Sequence, residues 1–166
     1  MYAQHEETNA IIAVPAEQAF AVLDDHARLS SHLSLPSWRV GGGKMRTIVD
    51  ERMGRRVGSH IVLRGRVFGA SMFAEEVVTV HHAPVRKVWE TIGTPRLLVI
   101  GRYCMSFELA PRGRMASLRV AIDYDLPTRG VGRVLGLLFG RLYARWCMRQ
   151  MTIDAVHHVA LPAAAA

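Results

Sequence analysis

Two consecutive runs of strict alternation constrain this chain most. In the first, Tyr103, Met105, Phe107 and Leu109 alternate with Arg102, Cys104, Ser106 and Glu108. In the second, Leu118, Val120, Ile122 and Tyr124 alternate with Ser117, Arg119, Ala121 and Asp123. Successive strand side chains point to opposite faces, so period two with one apolar side predicts an antiparallel sheet covered on one face only. Pro111-Arg112-Gly113-Arg114 between the runs has turn chemistry and predicts a hairpin.

The cover is predicted to be helical. After Leu126-Pro127 the apolar period lengthens, and one helix is expected from Arg129 to Val159, ~45 Å long at ~1.5 Å per residue. On a helical wheel Val131, Leu135, Leu138, Phe139, Leu142, Trp146 and Ile153 share one face, which is expected to meet the sheet. Arg141 and Arg145 fall largely opposite. Gly132, Gly136 and Gly140 recur at a spacing of four, each costing ~1 kcal/mol against alanine, so a close approach along that edge should offset them.

Upstream, Thr8 to Val14 reads as a strand. Pro15 then opens a helical region in which Ala16, Phe20, Leu23, Ala27 and Leu29 recur, with Asp24 a cap between two short helices and Pro36 an end. Trp38 to Val40, Arg46 to Glu51 and Val57 to Leu63 read as short strands beyond it. Arg66 to His82 reads as one long strand with a bulge or bend at Gly69. Ala83-Pro84 and Thr94-Pro95 mark turns around a strand from Val85 to Ile92, and Val99 to Leu109 follows. Strand, two short helices, several strands and a long helix predict an α+β arrangement with one sheet and one helix layer.

Length agrees with this. The chain has 166 residues, half of them hydrophobic, which predicts a single domain over residues 1–162 with a four-residue tail, 163–166. A chain of this size can bury ~70% of its unfolded surface without staples. The longest apolar run, Val134 to Gly140, is far short of the ~20 residues of a spanning helix. Glu6 and Glu7 stand where a secretory signal would be apolar. Two cysteines, Cys104 and Cys147, fit a reducing cytoplasm. The net charge is +7, and all basic residues except Lys44 and Lys87 are arginine, so acidic metabolites, anionic lipid and nucleic acid are all partners that charge would favour. Nucleic acid is set aside, because the basic residues are spread along the chain without an aromatic-basic strand or a known motif.

Sites with sharper signatures are absent. His81-His82 and His157-His158 are adjacent pairs, and no His-Glu-x-x-His or Cys-x-x-Cys spacing exists, so no metal is expected. Gly130-Val131-Gly132 with Gly136 has the wrong spacing for a dinucleotide fingerprint, and Gly43-Lys44 lacks the rest of a phosphate loop. No cofactor is expected. No nucleophile elbow supports a Ser-His-Asp triad.

Several segments resemble a known family. Ile11-Ile12-Ala13-Val14-Pro15-Ala16-Glu17-Gln18-Ala19-Phe20 is similar to the start of START-like proteins, where a first strand runs into a helix with Pro, Glu and Phe at this spacing. Val77-Val78-Thr79-Val80 to Ala83-Pro84-Val85-Arg86-Lys87-Val88-Trp89 resembles their fourth-to-fifth strand turn, and the closing helix resembles the one that grips their sheet. The family is the SRPBCC or birch-pollen-allergen-like superfamily, with polyketide cyclase/dehydrase and lipid-transport members. The resemblance implies a helix-grip fold of about seven strands, and a deep cavity between sheet and last helix. It also implies an apolar small molecule or lipid as partner; a minority of members catalyse cyclisation or dehydration, and fold does not decide between these.

If the cavity exists, Tyr103, Met105, Phe107, Leu118, Val120, Ile122 and Tyr124 would line it from the sheet, with Leu135, Phe139, Leu142 and Trp146 opposite. The ordinary alternative is that the same residues fill a solid core. Arg149, on the shoulder of the helix, would reach a ligand carboxylate or phosphate, or else snorkel to solvent. Glu76 and Glu90 are candidate acids or bases, paired with Tyr103 or Arg149, if either is buried; a surface position is the ordinary expectation for each. Arg133, Arg141 and Arg145, with Val134, Leu137 and Met148 among them, form a basic face. It suits peripheral contact with an anionic membrane or with a second copy in a homodimer, against the commoner reading of a solvated surface.

Overall fold

The computed structural model describes residues 2–26, 44–67 and 69–160. Seven strands form one antiparallel sheet: β1 (Gln4–Ile12), β2 (Lys44–Val49), β3 (His60–Val67), β4 (Ala70–His82), β5 (Arg86–Arg96), β6 (Tyr103–Arg112) and β7 (Met115–Tyr124). Helix α1 (Ala16–Leu23) follows β1, and α2 (Gly130–Ala160) follows β7. The strand order is β1-β7-β6-β5-β4-β3-β2, so β1 pairs with the last strand and the rest form a meander. This is the α+β helix-grip architecture, a curved open sheet with a long C-terminal helix. The second short helix, the strand over Trp38 to Val40 and the tail 163–166 lie outside the described residues.

The alternating runs become β6 and β7, registered Tyr103 to Tyr124, Met105 to Ile122, Phe107 to Val120 and Leu109 to Leu118. All eight side chains are buried on one face. Phe20 and Leu23 of α1 join them, together with Ile61, Val78 and Trp89. Each such side chain contributes ~1.5–3 kcal/mol when fully buried. Helix α1 starts after Pro15, carries Glu17 in its first turn and ends at Asp24. An acidic group there complements the positive end of the helix dipole.

Three expectations are corrected. Arg66 to His82 is not one bulged strand: β3 ends at Val67, and Gly69, at φ +79°, turns the chain into β4. That left-handed conformation suits glycine and closes a hairpin where a bulge or bend was expected. Thr94-Pro95 does not end its strand, because β5 runs to Arg96.

The third correction concerns α2, which turns its small residues inward. Gly136, Gly140, Ala144, Met148, Met151 and Ala155 are buried, whereas Val131, Leu138, Leu142 and Ile153 are 45–74% exposed. A Cβ built on Gly136 would sit 2.8 Å from Pro127 Cδ and 3.0 Å from Val99 O. On Gly140 it would sit 2.9 Å from Leu126 Cδ2 and 3.0 Å from the same carbonyl. Contact that close admits only glycine, so the glycine edge and not the leucine edge fixes the helix rotation. Arg141 and Arg145, on the flank, bind Glu6 of β1 at 2.5 and 2.9 Å. Met148, expected outside, is buried.

Candidate functional site

β5 and β6 pair only from Arg86 to Glu90, after which β5 stays with β4 and leaves β6. Thr91 holds the point of separation: its Oγ1 accepts from Tyr103 N at 3.0 Å and donates to Tyr103 O at 3.3 Å. A hollow of about 70 Å³ opens beside this fork, under α2. Trp89, Met105, Ile122 and Leu63 line it from the sheet, Met45 from β2, Leu97 and Ile100 from the β5–β6 connection. Tyr143, Cys147 and Met151, at helical spacings of four, roof it.

Two strands bring a polar pair into this apolar space. Glu76 of β4 lies opposite Thr91, is 2% exposed and lines the hollow. Tyr103 of β6, 5% exposed, donates its phenol O–H to Glu76 Oε1. Glu76 Oε2 lies 3.3 Å from His26 Nε2, whose ring stands edge-on to Trp89 with centroids 5.2 Å apart. Burial first, then the Glu76 carboxylate, push the Tyr103 hydroxyl well above its ordinary pKa. It therefore stays a phenol and acts as a hydrogen-bond donor. Burial raises the Cys147 thiol to about 12, which keeps it from acting as a thiolate nucleophile at neutral pH. The neighbouring Cys147 and then burial raise Tyr143 well above the usual phenol range. The chemistry available here is a carboxyl and a phenol that can accept and donate a proton in a mostly apolar enclosure.

A second buried ionic group sits nearer α1. Lys87, fully enclosed, donates from Nζ to Asp24 Oδ1 at 2.8 Å and to Asp24 O at 3.1 Å, and His81 Nε2 lies 3.0 Å from Asp24 Oδ1. Burial lowers the Lys87 pKa despite Asp24. This cluster ties the end of α1 to β4 and β5 and does not line the hollow. Among the described residues no group of three or more His, Cys, Asp or Glu side chains could hold a metal ion.

The residues singled out from sequence divide clearly. Tyr103, Met105 and Ile122 line the hollow, as does Glu76, against the expectation of a surface acid. Phe107, Leu118, Val120 and Tyr124 share their face but fill solid core beside it. Leu135 and Trp146 are half-buried, and Phe139, Leu142 and Arg149 are exposed, so α2 carries all five outside the hollow. Trp146 instead lies against Tyr143, at 6.0 Å between centroids. Glu90, paired with Cys104, lies on the opposite sheet face, where Tyr2 Oη donates to it at 3.2 Å. Sequence reading missed His26, Trp89, Tyr143, Cys147 and Met151. Tyr143-Cys147-Met151 is a helical stripe legible in principle, but outweighed by the larger leucine stripe.

Neither a family model nor a curated protein sequence matches the chain. Solved structures do. A protein of Thermus thermophilus is 14% identical, aligns over 94% of this chain and 97% of its own, and gives a TM-score of 0.67. The Zhui aromatase/cyclase of a Streptomyces species is 15% identical over 94% and 90%, with a TM-score of 0.61. Norcoclaurine synthase of Thalictrum flavum is 14% identical over 96% and 87%, with a TM-score of 0.62. The chain thus shares the helix-grip fold of these structures. No helix among the described residues is long and apolar enough to cross a membrane.

Proposed function

We propose that the protein binds an apolar small molecule or lipid in the hollow under α2, oriented by the Glu76–Tyr103 pair. The observation that carries this reading is the placement of a buried carboxylate and a phenol, with the His26 ring beside them, in a mostly apolar enclosure. An ionisable group there costs folding free energy, and a solid apolar core would do without it. The space of about 70 Å³ is smaller than the ~300–1,000 Å³ of ordinary ligand sites, so a guest must displace side chains. Met45, Met105 and Met151 line it, and methionine is the apolar side chain that repacks most readily. Ligand surface removed from water then contributes ~25 cal/mol per Å². Two free cysteines suit a reducing cytoplasm, which is where this reading places the protein.

The test is binding of an apolar fluorescent probe to the wild type and to Cys147→Phe and Met105→Phe, which fill the hollow from opposite walls. Both variants should lose probe binding while keeping the circular dichroism of the wild type. Undiminished binding by both folded variants would remove the ligand from this site.

A second reading is supported by the same pair, and by a neighbour that is an aromatase/cyclase: acid–base catalysis on a bound carbonyl compound. Glu76 would take a proton from the carbon beside the carbonyl while Tyr103 donates a hydrogen bond to the carbonyl oxygen. Turnover of a polycarbonyl substrate that Glu76→Gln abolishes, with probe affinity retained, would favour the enzyme over the carrier.

A further inference from the structure

Helix α2 is apolar on two sides, and the sheet covers only one. The uncovered side carries Val131, Val134, Leu138 and Leu142 at spacings of three and four, and Ile153 and Val156 further along the same side, all between 38% and 74% exposed. A helix hydrophobic all round is ordinarily enclosed on every side, so an unshielded stripe of this length calls for an occupant. Charge selects among occupants. The helix carries four arginines and one acidic residue, Asp154, which is half-buried. Arg149 is exposed on the stripe itself, and Arg141 and Arg145, both engaged by Glu6, flank it. A second copy related by a two-fold axis would bring the same arginines together with no carboxylate on the stripe to meet them. Anionic lipid headgroups meet them, while the leucines enter the acyl boundary.

We propose that this face docks the protein on an anionic membrane surface. The proposal extends the ligand reading to delivery or collection at a lipid surface, but does not depend on it. Its residues are disjoint from those that line the hollow, so the two can fail separately. Partial insertion of Leu138 and Leu142 supplies the apolar part of binding. Arg149 supplies the salt-sensitive part.

Flotation of the full chain with phosphatidylcholine vesicles, with and without phosphatidylserine, tests this alongside sedimentation equilibrium. Wild type should float with the phosphatidylserine vesicles and be released by raised salt. The double variant Leu138→Asp with Leu142→Asp, both exposed positions that leave folding intact, should weaken flotation more than about tenfold. Arg149→Gln should weaken it about fivefold, the worth of one cation near such a surface. Failure of wild type to float, or equal flotation of the double variant, overturns the proposal. A stable dimer that the double variant dissolves, without flotation, gives the face to a second copy and overturns it too. Probe binding in the hollow should be the same in wild type and double variant, which keeps this result separate from the ligand reading.

Discussion

Asp24 holds two partners at once, the Lys87 ammonium at 2.8 Å and the His81 ring at 3.0 Å, where α1 ends over the sheet. Lys87 is fully enclosed, and burial lowers its pKa below the ordinary 10.5. A base whose folded pKa is depressed binds fewer protons folded than unfolded, so its protonation opposes folding most at neutral pH and ceases to matter above about 10.5. Asp24→Asn removes the compensating charge and should cost about 3 kcal/mol at neutral pH, since one buried ion is left unpaired. Urea denaturation should find that loss shrinking toward pH 10.5, and largely recovered by adding Lys87→Met. A loss independent of pH would mean that the Asp24 shape, and not its charge, holds α1.

At the scale of elements, α2 is set by its glycines and by Glu6. Gly136→Ala and Gly140→Ala gain ~1 kcal/mol of helix propensity but drive a methyl within 3.0 Å of Val99 O, and overpacking of this kind costs ~1–3 kcal/mol. Gly132→Ala meets Pro127 Cβ at 3.3 Å and Leu98 O at 3.4 Å, which is milder. Thermal denaturation should therefore rank Gly132→Ala above the other two; equal tolerance of all three would contradict the close approach. Burial alone would raise the Glu6 pKa, but the hydrogen bonds from Arg145 and Arg141 outweigh it and hold it below 4.5. An acid whose folded pKa is depressed stabilises the fold above 4.5 and stops doing so as pH falls through the lower folded value. Glu6→Gln should cost up to about 1 kcal/mol at neutral pH, because the pairs are half in solvent, and the loss should shrink as pH falls below 4.5.

The same elements show what sequence could tell. β6 and β7 were legible because period two ties each residue to a face whatever surrounds the sheet. The rotation of α2 was not, because a wheel weights a helix by the size of its apolar residues. Here the deciding contact is made by residues without side chains, against Val99, Leu126 and Pro127. Glu76 was hidden for a related reason: only pairing with Ile61 and Thr91 shows that its side of β4 is the inner one. With Gly69 misread as a bulge or bend, the register of that strand could not be followed from sequence. Trp89 and Tyr103 come together through cross-strand register in the same way, which no single segment displays.

As a whole molecule, the protein joins a closed face and an open one through a single helix. The inner edge of α2 roofs a small hollow that holds Glu76, Tyr103 and His26, and its outer edge presents leucines and arginines to whatever surrounds the protein. The proposed function requires that the hollow receive an apolar guest. Native mass spectrometry of the freshly purified wild type and of Cys147→Phe tests it most directly. The account predicts a discrete non-covalent mass increment on the wild type, removed by organic extraction and missing from the folded variant. An identical increment on both proteins, or bare wild type that also takes up no added apolar compound, would contradict it.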